Sequence, residues 1–171
     1  GNSIVKGAEL LDKKSLSSVN DTTGEGLTAI LTEVKGNSPE ELAEHIAEIT
    51  KSLENYELAV PVYFTDKEEE YSKYWAIRSG IFPSVGGTRP PGTTCLIEDV
   101  AFHIQDLPEA VADLQDLMVK HGYHDACIYG HSLEGNFHFI INQSFDTEQE
   151  IQRYENLMND VIALVVDKYD G

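Results

Sequence analysis

The sequence predicts an α+β fold of ferredoxin-like type, an antiparallel sheet covered by helices. The chain has 171 residues and a hydrophobic fraction of 41%, which suits one globular domain. The predicted elements run β-α-β-α-loop-β-α-β-β-α, and two β-α-β runs are expected to place the helices on one face of the sheet. Residues 125–131 and 136–142 alternate with a Gly-containing turn between them, which predicts a hairpin.

The first elements follow a polar start. Residues 1–26 are rich in Ser, Asn, Asp, Thr and Gly, and we interpret them as a leading segment before a domain at 27–171. A short helix at 8–14 is expected within that segment. Residues 26–34 are β-like and give the first predicted strand.

A helix and a strand come next. Ser38 is a predicted N-cap, with Pro39 at the first helical position and Glu41 three residues after the cap. Residues 58–64 predict a strand, and Pro61 indicates that it lies at an edge or a bulge.

The middle of the chain combines a helix with a long loop. Residues 65–78 predict a second helix, which we expect to end at Gly80. Residues 79–94 contain four Gly and three Pro, and long loops inside compact domains are usually functional or mobile. Residues 95–103 predict the third strand.

The last third predicts two helices around the hairpin. Asp106 begins the first of them, and Gly122 lies just past its end. Thr147 and Glu150 form a capping box for the last helix.

Charge and composition exclude some classes of function. The net charge is −18, from 30 acidic and 12 basic residues, so a nucleic-acid partner is not expected and anionic membranes are disfavoured. No run of 18 apolar residues predicts a transmembrane helix. Cys95 and Cys127 lie far apart in apolar runs, which is typical of free thiols in a reducing cytosol. We therefore expect a cytoplasmic protein.

Two histidines flank the hairpin turn in the stretch YGHSLEGNFHFIIN at 129–142. Alternation puts His138 and Asn142 on one strand face, while His131 ends the preceding strand. Two converging imidazoles fit a divalent metal, although a catalytic zinc usually has three protein ligands. Hydrogen-bonded rings at a strand edge are the other interpretation, and spacing alone leaves both open.

The three arginines are informative in so acidic a chain. Arg78 and Arg89 bracket the Gly/Pro-rich stretch, whereas Arg153 on the last helix is expected at the surface. Guanidinium groups bind carboxylates bidentately, so Arg78 and Arg89 are candidates for holding an acidic substrate. Salt bridges with the surplus acids are the alternative.

The hairpin motif resembles an element of a known family. The stretch 129–138 is similar to the Gly-His-x-x-(Asp/Glu)-Gly-Asn-x-His element of FAD-linked oxidases, in the C-terminal domain that covers the substrate. The stretches 75–80 (WAIRSG) and 97–102 (IEDVAF) resemble two further elements of that family. With 82–87 (FPSVGG), they resemble the branch that joins a D-2-hydroxyacid dehydrogenase, of D-lactate or D-2-hydroxyglutarate type, to iron–sulfur modules.

The resemblance implies roles for three residues. Relatives often carry Asn at the position of Ile140 and Lys near the position of Ile97, so the substrate contacts are expected to differ here. No catalytic residue is assigned within the chain. The implied roles are metal ligands for His131 and His138, of a zinc-like divalent ion, and a substrate carboxylate contact for Arg78. We also expect Arg89 and Asn142 to contact the substrate and Asn136 to contact the cofactor.

The resemblance also implies partners. Relatives place an FAD-binding domain before this one and a Glu-His-Gly element with the third metal ligand after the last helix, so we expect a middle piece of a longer polypeptide. The implied activity is oxidation of a D-2-hydroxyacid by hydride transfer to FAD. The implied location is the cytoplasm, with association at the inner face of the membrane as an option. A ferredoxin-like module that binds a small acid or a partner without catalysis is the alternative.

Overall fold

The computed structural model describes residues 4–19 and 27–171, and the described residues form a sheet with helices on both faces. The strands are β1 (Val5–Leu11), β2 (Ala29–Val34), β3 (Thr94–Ala101), β4 (Cys127–His131) and β5 (Asn136–Gln143). They form one antiparallel sheet in the order β2-β1-β4-β5-β3. The predicted α+β class with an antiparallel sheet covered by helices is confirmed.

Five α-helices accompany this sheet in the described residues. They are α1 (Lys13–Ser18), α2 (Pro39–Ser52), α3 (Glu68–Gly87), α4 (Leu107–Lys120) and α5 (Glu148–Ile162). A single 3₁₀ turn, Ile104–Asp106, precedes α4, and a π-helical segment, Ala163–Lys168, continues α5. Within the described part of the chain, no helix is both long and apolar enough to cross a membrane.

The expectation that the helices lie on one face was wrong, because each face of the sheet carries its own core. Alternate residues of the central strands point to opposite faces, and each set includes buried apolar residues. On one face α4 and α5 bury Leu114 and Leu157 against Phe137 and Phe139. On the other face α1 and α3 contact the sheet through a cluster formed by Leu11, Leu16, Ile81, Val85, Cys127, Tyr129 and Ile140.

The helix expected at 8–14 was also wrong, since most of that stretch is strand β1. β1 pairs with β2 on one side and β4 on the other, so the leading segment supplies an inner strand of the sheet. The helix α1 starts only after Asp12, whose Oδ1 accepts hydrogen bonds from the backbone N and the Oγ of Ser15, at 2.8 and 2.7 Å. Residues 20–26 of that segment lie outside the described residues.

The strand expected at 58–64 is absent, and those residues form an irregular connection before α3. Leu58, Val60 and Tyr63 are exposed there. Pro61 lacks the N–H that a ladder needs, and no neighbouring strand pairs with the stretch among the described residues. The connection is instead held to α3 by Glu70, which accepts hydrogen bonds from the side chains of Tyr63, Thr65 and Lys67.

The helix α3 is longer than expected and replaces much of the predicted loop at 79–94. It continues through Gly80 and Pro83, although proline removes one helical hydrogen bond. Ile81 and Val85 are buried in the cluster beneath α3, and this packing outweighs the local cost. The connection that remains before β3 is therefore short.

The remaining elements agree with the predictions. Ser38 caps α2 by accepting from the backbone N of Glu41, and Thr147 caps α5 by accepting from that of Glu150. The strand predicted at 95–103 is present as β3, and the hairpin is formed by β4 and β5.

Candidate active-site cluster on the α3 face

Four adjacent strands bring polar side chains together in two neighbouring rows on the sheet face that α3 covers. Glu9 of β1 lies directly opposite His131 of β4, and Asp99 of β3 lies opposite His138 of β5. Tyr129 pairs with His138 across β4 and β5. Because the side-chain period of a strand is two, these residues share a face, and they form the active-site cluster together with Arg78 of α3.

The turn between β4 and β5 fixes the position of His131. Gly135 in this turn has φ +74°, and a Cβ there would collide with the Phe102 carbonyl oxygen. The backbone N of Phe102 donates to Gly135 O at 2.9 Å. Ser132 donates through its backbone N and its Oγ to Ala8 O, at 2.8 and 2.9 Å, which holds the turn against β1. His131 is thereby placed next to Glu9.

The two histidine rings lie close together, as the hairpin predicted. Their ring centroids are 5.7 Å apart and the ring planes are inclined by 81°. His131 Nδ1 lies 2.5 Å from Glu9 Oε1, and His138 Nδ1 lies 3.3 Å from Asp99 Oδ1. A carboxylate that accepts a hydrogen bond from Nδ1 fixes the ring and leaves the lone pair on Nε2. Of the two contacts, only that between His131 and Glu9 is a hydrogen bond. Neither Nε2 has a protein partner among the described residues.

Arg78 reaches the cluster from α3 and is held by two contacts. Its Nε donates to Glu9 Oε2 at 2.7 Å, and its Cζ lies 4.7 Å from the centroid of the Tyr129 ring. The alternative of a salt bridge with a surplus acid is therefore correct for this contact. The two Nη groups have no partner among the described residues, so they remain available for a carboxylate.

Burial shifts the pKa values of two members of the cluster. Burial lowers the pKa of His138 from its ordinary 6.5, and the Asp99 carboxylate opposes that change. The neutral ring is therefore favoured, which is the form that binds metal ions. Burial also raises the pKa of the Tyr129 hydroxyl, so the ring beneath Arg78 is uncharged.

Two predicted substrate contacts lie away from the cluster. Arg89 donates to Thr93 O and Gly86 O, at 3.1 and 2.5 Å, beside the first residue of β3. Since Asp99 is five positions further along β3, this end of the strand is about 16 Å from the cluster. Asn142 is four positions from His138 along β5, or about 13 Å, and its buried Oδ1 lacks a partner among the described residues.

The side chains of two other residues considered in the sequence analysis make contacts within the protein. Asn136 donates through Nδ2 to Asp99 Oδ1 at 2.7 Å and to Val100 O at 3.2 Å, so it orients Asp99. Arg153 was expected at the surface, but its guanidinium lies over Tyr123 and its Nε is buried.

The sequence interpretation missed Glu9, Tyr129 and Asp99 as members of the cluster. Glu9 carried one usable signal, because it is an acid between apolar residues in the run AELL. A buried carboxylate in such a run needs partners, and these lie on distant elements.

The described residues do not form a metal site on their own. Within 4–19 and 27–171, no group of three or more His, Cys, Asp or Glu side chains is arranged to hold a metal ion. Two imidazoles with carboxylates at Nδ1 are the pattern of a metal-binding histidine pair. The cluster can thus supply two nitrogen ligands and one guanidinium for an anion.

The comparison with known proteins finds the same family that the hairpin motif resembles. No curated protein matches the chain. The model of the family described as FAD linked oxidases, C-terminal domain, matches residues 2–171. Such domains are parts of flavin-dependent oxidoreductases, and an FAD domain is a fitting partner. The chain therefore belongs to the family of C-terminal domains of FAD-linked oxidases.

Proposed function

We propose that the chain is the substrate-binding part of a flavin-dependent dehydrogenase that oxidises a D-2-hydroxyacid with the help of a divalent, zinc-like metal ion. The observation that supports this most is the convergence of His131, His138 and Arg78 on one face of the sheet. A 2-hydroxyacid carries a hydroxyl beside a carboxylate. The two imidazoles are suited to hold a metal ion that binds the hydroxyl, and the guanidinium is suited to bind the carboxylate.

The spacing of the rings suits two ligands of one ion. With about 2.0–2.1 Å from the ion to each Nε2, and about 1.2 Å from Nε2 to each ring centre, two ring centres lie about 5–6 Å apart at ligand angles of about 100–130°. The centroids of His131 and His138 are 5.7 Å apart. The third ligand is expected from outside the described residues, in the Glu-His-Gly element that the resemblance implies.

Arg78 is suited to hold the substrate carboxylate. Its Nε is used by Glu9, and its two Nη groups form an unoccupied edge of the guanidinium. Two parallel N–H···O bonds along such an edge fix the orientation of a carboxylate as well as its position. The stacking on Tyr129 keeps the guanidinium plane from rotating.

The chemistry follows from this arrangement. A divalent ion at the two Nε2 atoms would polarise the substrate hydroxyl and lower its pKa. The flavin supplies the hydride acceptor, and we assign its binding to a separate domain of the same polypeptide. Arg78 restricts rotation of the substrate about its carboxylate, so Cα keeps one distance from the acceptor. The proton-accepting base and the proposed iron–sulfur modules lie outside the described residues.

The test uses the full-length protein with bound FAD. We expect a panel of D-2-hydroxyacids to reduce the flavin, and His131→Ala and His138→Ala to lose both the bound metal and this reduction. His124→Ala is the matched control, because His124 is exposed and outside the cluster. Normal metal content and turnover in both cluster variants would refute the proposed site.

A further inference from the structure

We infer that Glu9 is the positioning residue of the cluster, holding Arg78 through one carboxylate oxygen and setting the tautomer of His131 through the other. Its oxygens do not compete, because Oε2 accepts from Arg78 Nε at 2.7 Å and Oε1 contacts His131 Nδ1 at 2.5 Å. A metal-binding role for the free Nε2 of His131 rests on the proposed function, whereas the contacts among Glu9, Arg78 and His131 do not depend on it.

The location of Glu9 suits a positioning role. Its side chain is only 8% exposed, and it projects from β1 between β2 and β4. The strand is held on both sides by ladder hydrogen bonds, and Ser132 adds two bonds to Ala8 O. A side chain on so constrained a backbone fixes its partners more closely than one on a loop.

Only a carboxylate satisfies both partners together. Arg78 Nε is always a donor, so the oxygen facing it must accept. If the oxygen facing His131 also accepts, the ring carries its hydrogen on Nδ1 and exposes the lone pair of Nε2. Glutamine has one oxygen and one NH₂ group. With its oxygen on Arg78, its NH₂ faces Nδ1 and drives the hydrogen to Nε2.

Asp99 offers a matched comparison at the other ring. It faces His138 Nδ1 at 3.3 Å, but its side chain is 61% exposed and its Oδ1 accepts a hydrogen bond from Asn136 Nδ2. Water can replace an exposed acceptor, whereas little water reaches a buried one. The two carboxylates should therefore differ in how strongly they control their rings.

The experiment reads the tautomer directly and does not depend on activity. Long-range ¹H–¹⁵N spectra at one neutral pH report which ring nitrogen carries the hydrogen, with His131 signals identified by their loss in His131→Asn. In the unsubstituted protein we expect His131 to carry it on Nδ1. In Glu9→Gln we expect it on Nε2, and zinc affinity measured by calorimetry should fall by about 10–100-fold. Asp99→Asn should leave His131 unchanged and weaken zinc binding less.

Two outcomes overturn the inference. One is a His131 hydrogen on Nε2 in the unsubstituted protein, a result that needs no variant to fold. The other is an unchanged tautomer in a Glu9→Gln protein whose circular dichroism is native. Failure of the proposed function can be told apart from failure of this inference. In that case the unsubstituted protein would bind no zinc, but replacing Glu9 would still change the tautomer of His131.

Discussion

Arg78 is the residue on which substrate recognition depends in the proposed enzyme, and two contacts orient it. Glu9 binds its Nε and the Tyr129 ring lies under its Cζ. The side chain is 17% exposed, so most of it is shielded from water while a small part can still be reached from solvent. A buried guanidinium with two unused amino groups is a strong carboxylate receptor.

Arg78→Ala should therefore weaken recognition of the hydroxyacid. We expect kcat/KM to fall by the equivalent of about 2–4 kcal/mol, because a hydrogen-bonded charge pair is lost. Arg78→Lys should recover only part of this, since an ammonium offers neither the Nε bond nor the planar edge. The measurement is flavin reduction at substrate concentrations well below KM.

Arg89→Ala is the control for this prediction. It removes the same type of side chain about 16 Å from the cluster, where the guanidinium contacts backbone carbonyls. We expect a change in kcat/KM of less than about twofold. An equal loss in both variants would show that Arg89 reaches the substrate, as the sequence interpretation proposed.

At the scale of elements, Glu70 ties the irregular connection at 58–67 to the first turn of α3. Its Oε2 accepts from the Tyr63 and Thr65 hydroxyls at 2.5 and 2.7 Å, and Oε1 accepts from Lys67 Nζ at 2.9 Å. These bonds, that from Tyr63 first, lower the pKa of Glu70 to about 2 from its ordinary 4.5. The connection is held although no strand forms there.

Glu70→Gln should loosen this connection at neutral pH. We expect trypsin to cleave after Lys67 several times faster in folded Glu70→Gln, while Glu69→Gln, next to it on α3, leaves the rate unchanged. Because the pKa is lowered in the fold, the stabilisation is complete above pH 4.5 and is lost as pH falls towards about 2. The protection of the Lys67 and Thr65 amides against hydrogen exchange, relative to the intrinsic rate at each pH, should fall over that range. Equal cleavage rates in the two variants would contradict this role.

The elements that the sequence predicted well are those determined by local chemistry. The capping residues Ser38 and Thr147 act on backbone groups three residues away, and the hairpin follows from alternation around a Gly-containing turn. The stretch 58–64, where a strand was predicted, has β-like residues but pairs with no strand among the described residues. The second half of β1 was misassigned as helix, because its strand character depends on pairing with β2 and β4.

The same distinction applies to the candidate site. His131, His138 and Arg78 lie in short motifs that resemble a known family, and the structure brings them together. Glu9 is 122 positions from His131 in sequence and carries no motif, so only the fold reveals the contact. Arg89 is close to Arg78 in sequence but distant in space, because α3 continues where a loop was predicted.

At the scale of the whole molecule, one sheet serves two helical layers. The α4 and α5 layer is closed by an apolar core, whereas the α1 and α3 layer has a smaller core that ends at the polar cluster. The larger core can stabilise the domain while the other face carries charged groups at a cost in stability. Because the central strands belong to both cores, the layers should unfold together.

Leu114→Ala tests this coupling from the face opposite to the cluster. Leu114 is fully buried between α4 and the sheet, so we expect a loss of about 2–5 kcal/mol in the free energy of unfolding. Val119→Ala on the same helix is the control, because Val119 is 56% exposed and should change stability by less than about 0.5 kcal/mol.

The single tryptophan, Trp75, lies on α3 and gives a probe confined to the other layer. In urea, its fluorescence and the far-UV circular dichroism of Leu114→Ala should shift to the same lower midpoint, as two-state unfolding requires. A fluorescence midpoint that stays at the unsubstituted value while the dichroism shifts would mean that α3 melts independently. Arg78 would then depend on local packing at Ile81 and Val85, and on its contact with Glu9, rather than on the stability of the sheet as a whole.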